Sequence, residues 1–271
     1  KGKFVCAGLD SELGKIPGRV PCPGNGGLDI TETITMFNRF IVDATSDTVL
    51  AYKPNLAFYV AHGHKGLWAL RDTVLYIKTM AQDVPVILDT KDMDIGNTNA
   101  GYVSMAFDYC QADAVTANPY LGMEAAKPFL DQKDKGIIVL CRTSNPGAGE
   151  FQDLSVSVVP GHNMPLYQYV AYRVANDWNK NGNCAIVVGA TYPEELSRVR
   201  ETVGDMPILI PGIGAQGGDL EATVMAGKSS RNQGMIINSS RGLIFASSGS
   251  DFAEAARRET LKLHNSINQL L

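Results

Sequence analysis

The sequence predicts a (β/α)8 barrel. Three observations point to it: the length, eight short apolar runs, and helix-compatible stretches alternating with them. The chain has 271 residues, close to the roughly 250 that one such barrel needs, so residues 1–271 are read as one domain. The runs are Phe4–Leu9, Val49–Lys53, Pro85–Lys91, Ala112–Asn118, Gly136–Thr143, Cys184–Ala190, Pro207–Gly212 and Met235–Ser239. Most are near-continuous in Val, Ile and Leu rather than alternating, the mark of parallel strands covered on both faces. A doubly wound open sheet is the alternative reading of the same rhythm. Eight right-handed crossovers favour closure.

Helical stretches separate the runs in order: Thr31–Thr45, Leu67–Gln82, Asn99–Gln111, Gly122–Asp131, Leu166–Asn179, Pro193–Val203 and Asp219–Ala226, with Asp251–Leu271 closing the chain. Two connections exceed the common length of roughly two to six residues. Ser11–Ile30 is rich in Gly and Pro, and Ser144–Pro165 carries Asn-Pro-Gly and Pro-Gly. Both leave a strand's C-terminal end, where barrel enzymes keep their active sites, so both read as candidate lids or rims.

Composition excludes several partners. Hydrophobic residues make up 45%, charged residues 19%, and the net charge is −4. There is no block of like charge, hence no basic footprint for nucleic acid and no basic amphipathic stretch for a membrane surface. No apolar stretch approaches the roughly 18 residues of a membrane span, and no signal-peptide pattern precedes the first run. The five cysteines form no C-x-x-C pair, and Cys6, Cys141 and Cys184 lie inside apolar runs. They are expected to be buried reduced thiols, which places the chain in the cytoplasm. The chain begins at Lys1 without a methionine, which points to a trimmed N-terminal piece.

The sharpest chemical feature is Asp89-Thr90-Lys91-Asp92-Met93-Asp94, at the end of the third run. Side chains alternate along a strand, so Asp89 and Lys91 are expected to share a face and project into the barrel mouth. Lys53 ends the second run, and Asp94 lies just beyond the third. An alternating Lys–Asp–Lys–Asp array keeps such groups ionised; a structural ion-pair network is the bland alternative. Two further segments fit a phosphate: Pro211 to Asp219 after the seventh run, and Asn238-Ser239-Ser240-Arg241-Gly242 after the eighth. Barrels hold phosphates there with exposed backbone N–H groups, and Arg241 offers a fork of donors matched to phosphate oxygens.

With these pieces in place the chain resembles the orotidine 5′-phosphate decarboxylase family, particularly its longer bacterial branch. The match runs from Gly8-Leu9-Asp10 to Ser240-Arg241. It is most specific from Leu88-Asp89-Thr90-Lys91 through Asp94-Ile95-Gly96-Asn97-Thr98. Asn118-Pro119-Tyr120-Leu121-Gly122, Ser144-Asn145-Pro146-Gly147-Ala148 and Pro211 to Asp219 support it. The resemblance implies that Asp10 binds ribose hydroxyls and that Lys53 orients the ribose and the neighbouring carboxylate. Asp89 is implied to press against the substrate carboxylate, and Lys91 to deliver a proton to pyrimidine C6. Ser144 is implied to contact the pyrimidine amide, with Gln216 and Arg241 on the phosphate. Asp94 and Thr98 are implied to enter a partner subunit's site, hence a homodimer. Ser11, where Pro often stands, and Asp92-Met93 depart from the family pattern.

The implied reaction is decarboxylation of orotidine 5′-monophosphate to UMP and CO2, in pyrimidine biosynthesis. The carbanion left at C6 has no adjacent carbonyl to delocalise it, and other decarboxylases supply an electron sink through a metal or an organic cofactor. No metal cluster is evident, since His62 and His64 share a Gly-rich loop while His162 and His264 stand alone. The expectation is therefore a reaction without metal or cofactor, with Lys91 as acid and carbanion stabiliser. Three rivals remain. They are an Mg-dependent sugar-phosphate decarboxylase or aldolase on the same barrel, a Schiff-base enzyme using Lys53 or Lys91, and a non-catalytic pyrimidine-nucleotide-binding barrel. Flanking carboxylates weigh against the Schiff base, because they stabilise the ammonium over the free amine.

Overall fold

The computed structural model describes residues 2–18, 20, 29–159, 162–214 and 218–271. Its strands in chain order are β1 Val5–Gly8, β2 Ala51–Lys53, β3 Ile87–Asp92, β4 Ala114–Ala117, β5 Gly136–Arg142, β6 Ser155–Val159, β7 His162–Pro165, β8 Cys184–Val188, β9 Ile208–Pro211 and β10 Met235–Ser239. All but β6 and β7 form one parallel sheet in the order β2-β1-β10-β9-β8-β5-β4-β3. The two ends of that order meet. Tyr52 bridges to Val86 and Asn55 to Asp89 in parallel, with Tyr52 N–H on Pro85 O at 3.0 Å and Asp89 N–H on Pro54 O at 3.0 Å. Pro54 and Pro85 have no N–H to donate, so the seam is reduced to isolated bridges instead of a full ladder. The barrel closes at its thinnest join.

The helices alternate with the strands, as the apolar rhythm requires: α1 Ile30–Thr45, α2 Leu56–Val60, α3 Gly63–Met80, α4 Gly96–Val103, α5 Gly122–Leu130, α6 Gly149–Gln152, α7 Leu166–Arg173, α8 Pro193–Val203, α9 Leu220–Gly227, α10 Arg241–Ile244 and α11 Phe252–Gln269. Helix α1 starts on a capping box, with Asp29 accepting from Glu32 N–H and the Glu32 side chain returning to the Asp29 N–H. Helix α8 starts at Pro193 and stops at Gly204, whose φ of 59° ends it without Cβ cost. Wide π-type turns, Ser104–Tyr109 and Val174–Trp178, extend α4 and α7 to the lengths expected from sequence. Among the described residues no helix is long and apolar enough to cross a membrane.

One expected loop is more ordered than its composition suggests. Ser144–Pro165 holds a turn at Pro146–Ala148, helix α6 and the antiparallel hairpin β6–β7. Its Gly and Pro residues mark turns between short elements, not an unstructured rim. Residues 19 and 21–28 of Ser11–Ile30 lie outside the described residues; Leu13–Lys15 forms one 3-10 turn.

Two apolar layers build the core. A large cluster packs the helices against the outer face of the strands. A smaller one fills the barrel with Cys6, Ala51, Ile87, Ala114, Ile138, Ala185, Leu209 and Ile236, one side chain from each of the eight barrel strands. Because side chains repeat with period two, the next inward layer lies two residues on: Gly8, Lys53, Asp89, Thr116, Leu140, Val187, Pro211 and Asn238. That second layer is the floor of the site.

Candidate active site

All of that layer except Gly8 lines a cavity of about 530 Å³ at the C-terminal end of the strands, together with Asp10, Lys91, Ser144 and Arg241. Gly8 has its own reason for lacking a side chain. A Cβ there would sit 1.9 Å from Ser240 Oγ, so glycine lets the chain before Arg241 fold over β1. Gly189 does the same for Ser144, whose Cβ lies 2.7 Å from where a Cβ at 189 would be. The loop carrying Ser144 is also held by Gln152, which accepts the Thr143 N–H at 2.9 Å and donates to Thr143 Oγ1 at 2.8 Å. Arg142 stacks on Tyr192, 3.9 Å from its ring centroid, and bonds Gln152 and Asp153.

The charges on the floor form a short array. Asp89 Oδ2 accepts from Lys53 Nζ at 2.6 Å, and Oδ1 accepts from Lys91 Nζ at 2.6 Å. Lys53 is 5% exposed and Asp89 9% at their side chains, whereas Lys91 is 47% exposed. Burial pulls Lys53 toward its neutral form, but Asp89 and Asp10 outweigh it and raise its pKa. Burial likewise pushes the Asp89 carboxyl up. Lys53 and Lys91 overcome that push and hold it well below the usual carboxylate range. The Lys53–Asp89 pair also bridges the thin β2–β3 seam. Directly beneath, the Cys6 thiol is pushed up to about 12 by burial, so it is a neutral wall.

Lys91 departs from simple alternation. Its φ is 57°, in the left-handed region, which costs an L-residue about 1–2 kcal/mol, and the β3–β4 register shifts between Leu88 and Asp92. Lys91 and Asp89 still meet, but a local irregularity swings the lysine round, not the two-residue period read from sequence. Held strain of this kind clusters at functional sites.

The remaining predicted residues are placed as follows. Asp10 Oδ1 is buried and has no hydrogen-bond partner among the described residues. Beneath it, a buried chain fixes the end of β1: Ser11 Oγ donates to Asn38 Oδ1 at 2.6 Å, Asn38 Nδ2 donates to Tyr59 OH at 3.0 Å, and Tyr59 OH donates to Leu9 O at 3.0 Å. That network gives Ser11, the departure from Pro, a physical role. Asp94 stays outside the array: its carboxylate accepts the Ile95 N–H at 2.6 Å and its N–H donates to Asn99 Oδ1 at 2.7 Å. Thr98 is exposed in the first turn of α4, away from the cavity. Within one chain the array is therefore Lys53–Asp89–Lys91. Gln216 lies outside the described residues. Among the described residues no three His, Cys, Asp or Glu side chains converge on a possible metal position.

Comparisons with known proteins identify the family and the fold. The pattern of the orotidine 5′-phosphate decarboxylase / HUMPS family matches residues 26–258. The chain belongs to that family. An orotidine 5′-phosphate decarboxylase of Cellvibrio japonicus is 47% identical over 265 residues, covering 98% of this chain and 93% of that protein. One of Ralstonia pickettii is 48% identical over 266 residues, again 98% and 93%. The solved OMP decarboxylase of Leishmania donovani superposes with a TM-score of 0.79 at 34% identity, covering 98% of this chain and 94% of that one. As a member of the orotidine 5′-phosphate decarboxylase / HUMPS family the chain is a decarboxylase, a lyase, on a (β/α)8 barrel.

Sequence reasoning passed over Thr116 on the floor, and named Asn238 only as the first residue of the phosphate segment after the eighth run. Thr116 is 1% exposed and bonded to Asp89; Asn238 is 6% exposed, and its Oδ1 is buried with no partner among the described residues. The signal was present: each stands two residues beyond the inward apolar residue of its strand, Ala114 or Ile236. Thr116 shares its run with Asp113 and Asn118, and Asn238 is followed by Ser239, so neither stands out until the eight strands are read together.

Proposed function

We propose that the protein converts orotidine 5′-monophosphate to UMP and CO2 without metal or organic cofactor, with Lys91 as the proton donor. The observation that carries the reading is the Lys53–Asp89–Lys91 array, with both carboxylate oxygens engaged at 2.6 Å, on the floor of a cavity rimmed by Arg241 and the loop from Gly212. The orphaned Asp10 Oδ1 supports it as the acceptor for a ribose hydroxyl. Following the family resemblance, Arg241 and Gln216 take the phosphate and Ser144 the pyrimidine amide.

The C6–carboxylate bond breaks, CO2 departs, and its electron pair stays on C6. Lys91 stabilises that carbanion as an ammonium and passes it a proton; the resulting amine regains one from solvent. Asp89, kept anionic by two lysines, faces the departing carboxylate. Two unit charges about 4 Å apart at an effective dielectric of ~20 interact by ~4 kcal/mol, a ceiling of roughly three orders of magnitude in rate. Phosphate binding energy supplies a further part by holding the ring in place.

The proposal includes a homodimer in which Asp94 and Thr98 act across the interface. Supporting it, Ile95 is 61% exposed, Tyr120 87% and Phe151 62%, around the rim that carries both residues. Asn99, buried behind them, donates to Ala125 O at 2.5 Å and so fixes α4 to α5.

The deciding experiment follows orotidine 5′-monophosphate absorbance with and without EDTA. Unchanged loss of absorbance in EDTA is expected; abolition by EDTA favours the Mg-dependent rival, and UMP binding without turnover favours the non-catalytic one. Mixing Lys91→Ala with Asp94→Ala tests the shared site. Each alone is expected to be nearly inactive, and random re-pairing restores about a quarter of wild-type activity, because one site in each hybrid is intact. No recovery after demonstrated exchange of subunits removes Asp94 from the partner's site.

A further inference from the structure

Thr116 is the one floor residue tied at once to the backbone of Lys91 and to the carboxylate of Asp89. Its hydroxyl accepts the Lys91 N–H at 3.0 Å and donates to Asp89 Oδ1 at 2.8 Å, while its carbonyl accepts from Thr90 Oγ1 at 3.0 Å. The bond to Lys91 N–H falls where the β3–β4 ladder loses register, so a side-chain oxygen takes the place of the missing strand-to-strand acceptor. The neighbours of Lys91 are held by β4 as well, Thr90 through its hydroxyl on Thr116 O and Asp92 through its pairing with Ala117, but the Lys91 N–H itself is met by the Thr116 hydroxyl.

The hydroxyl has one proton to give, and Asp89 receives it, so its orientation is fixed. Asp89 Oδ1 then carries both Thr116 and Lys91, and Oδ2 carries Lys53. A carboxylate anchored on both oxygens cannot rotate, and the ammonium bonded to it inherits that position. Lys91 is half-exposed on a flexible stem. Its aim therefore depends on what fixes its backbone and its counter-ion, and Thr116 touches both.

We propose that Thr116 is a positioning residue for the proton-donating lysine: one hydroxyl sets the turn at Lys91 and locks the Asp89 carboxylate. The inference rests on the decarboxylase reading above. It predicts that removing the hydroxyl weakens the chemical step while leaving nucleotide binding alone, because Asp10, Ser144 and Arg241 are untouched.

The test compares Thr116→Val, Thr116→Ala and Thr116→Ser with wild type, measuring kcat, KM and calorimetric UMP affinity. In Thr116→Val and Thr116→Ala, kcat is expected to fall by roughly 10- to 100-fold, the loss that small misplacements of reacting groups produce. KM and UMP affinity are expected to stay within about threefold, and Thr116→Ser to recover most of kcat. Val or Ala retaining more than half of wild-type kcat overturns the inference. So does a Ser variant as poor as Val, since that would make the residue a packing element. Amide exchange on wild type adds a reading that needs no variant and no turnover. The Lys91 N–H is expected to be protected in the unliganded protein, and fast exchange there also overturns the proposal. A wild type inert toward orotidine 5′-monophosphate sinks the decarboxylase reading instead, while the exchange result still judges the contact.

Discussion

The two ends of the barrel bury positive charge in opposite ways. At the N-terminal end Arg200, 8% exposed, donates to the carbonyls of Gly204, Met206, Gly227 and Gly234 at 2.6–3.0 Å. Its fork of donors ties together the loops that enter β9 and β10. At the C-terminal end Lys53 meets a carboxylate, that carboxylate meets a second lysine, and an oxygen of Asp10 has no partner among the described residues. All five N–H donors of Arg200 are taken up by backbone carbonyls. The C-terminal end keeps charge, a strained lysine and an orphaned acceptor facing a cavity. The difference separates structural from chemical burial better than burial itself does, since both cations are nearly inaccessible.

The contrast breaks first at Lys91. Lys91→Ala is expected to lower kcat by about a thousandfold or more while leaving the melting temperature nearly unchanged, since a half-exposed ion pair contributes about 0–1 kcal/mol. Retention of more than a tenth of kcat would end the proton-donor assignment. Arg200→Leu should do the reverse. It strands several buried carbonyls and is expected to cost about 3 kcal/mol of unfolding free energy, with kcat intact well below the melting point. Urea titration and kinetics on the same sample decide this, and a selective loss of kcat would erase the distinction between the ends.

Arg241→Ala is expected to raise KM roughly 10- to 100-fold with kcat changed only a few-fold, the pattern of a binding contact. A fall in kcat at constant KM would move Arg241 into the chemistry. The smallest effect lies in the turn between α1 and β2, where Arg257 grips Asp47 at 2.7 and 2.8 Å. The Arg257 hydrogen bonds lower the Asp47 carboxyl to about 2, below the ~3.9 of an unfolded chain. A depressed carboxyl contributes stability above its unfolded pKa, and that contribution fades as pH falls from about 4 through 2. Solvent exposure limits it to about 0.5 kcal/mol. Arg257→Ala should remove that much at pH 6 and nothing near pH 1, read from chemical denaturation at the two values.

How far the sequence reached depends on the range of the interaction that decides each feature. Met235–Ser239 and Pro193–Val203 match their expected bounds to the residue, because an apolar run and a Pro-led amphipathic segment are local signals. The hairpin β6–β7 was hidden, since its strands, led by Ser155 and His162, carry no apolar run and pair only with each other. Asp89 and Lys91 were visible as charges after Val86-Ile87-Leu88, and the phosphate rim as glycines before a helix. Thr116 was not, because a lone Thr in a strand reads the same whether it faces a cavity or a helix.

The sequence by itself determined the eight-fold alternation, the inward direction of residues two apart, and the supply of charge at the strand ends. These follow from backbone periodicity and from the cost of burying a charge alone. Tertiary structure decided what touches what. It joined β2 to β3 across two prolines, it turned Lys91 left-handed under the Thr116 hydroxyl, and it left Asp94 on its own loop. Those contacts join residues from different strands or break the strand's own period, and no local pattern encodes a distance that only barrel closure fixes.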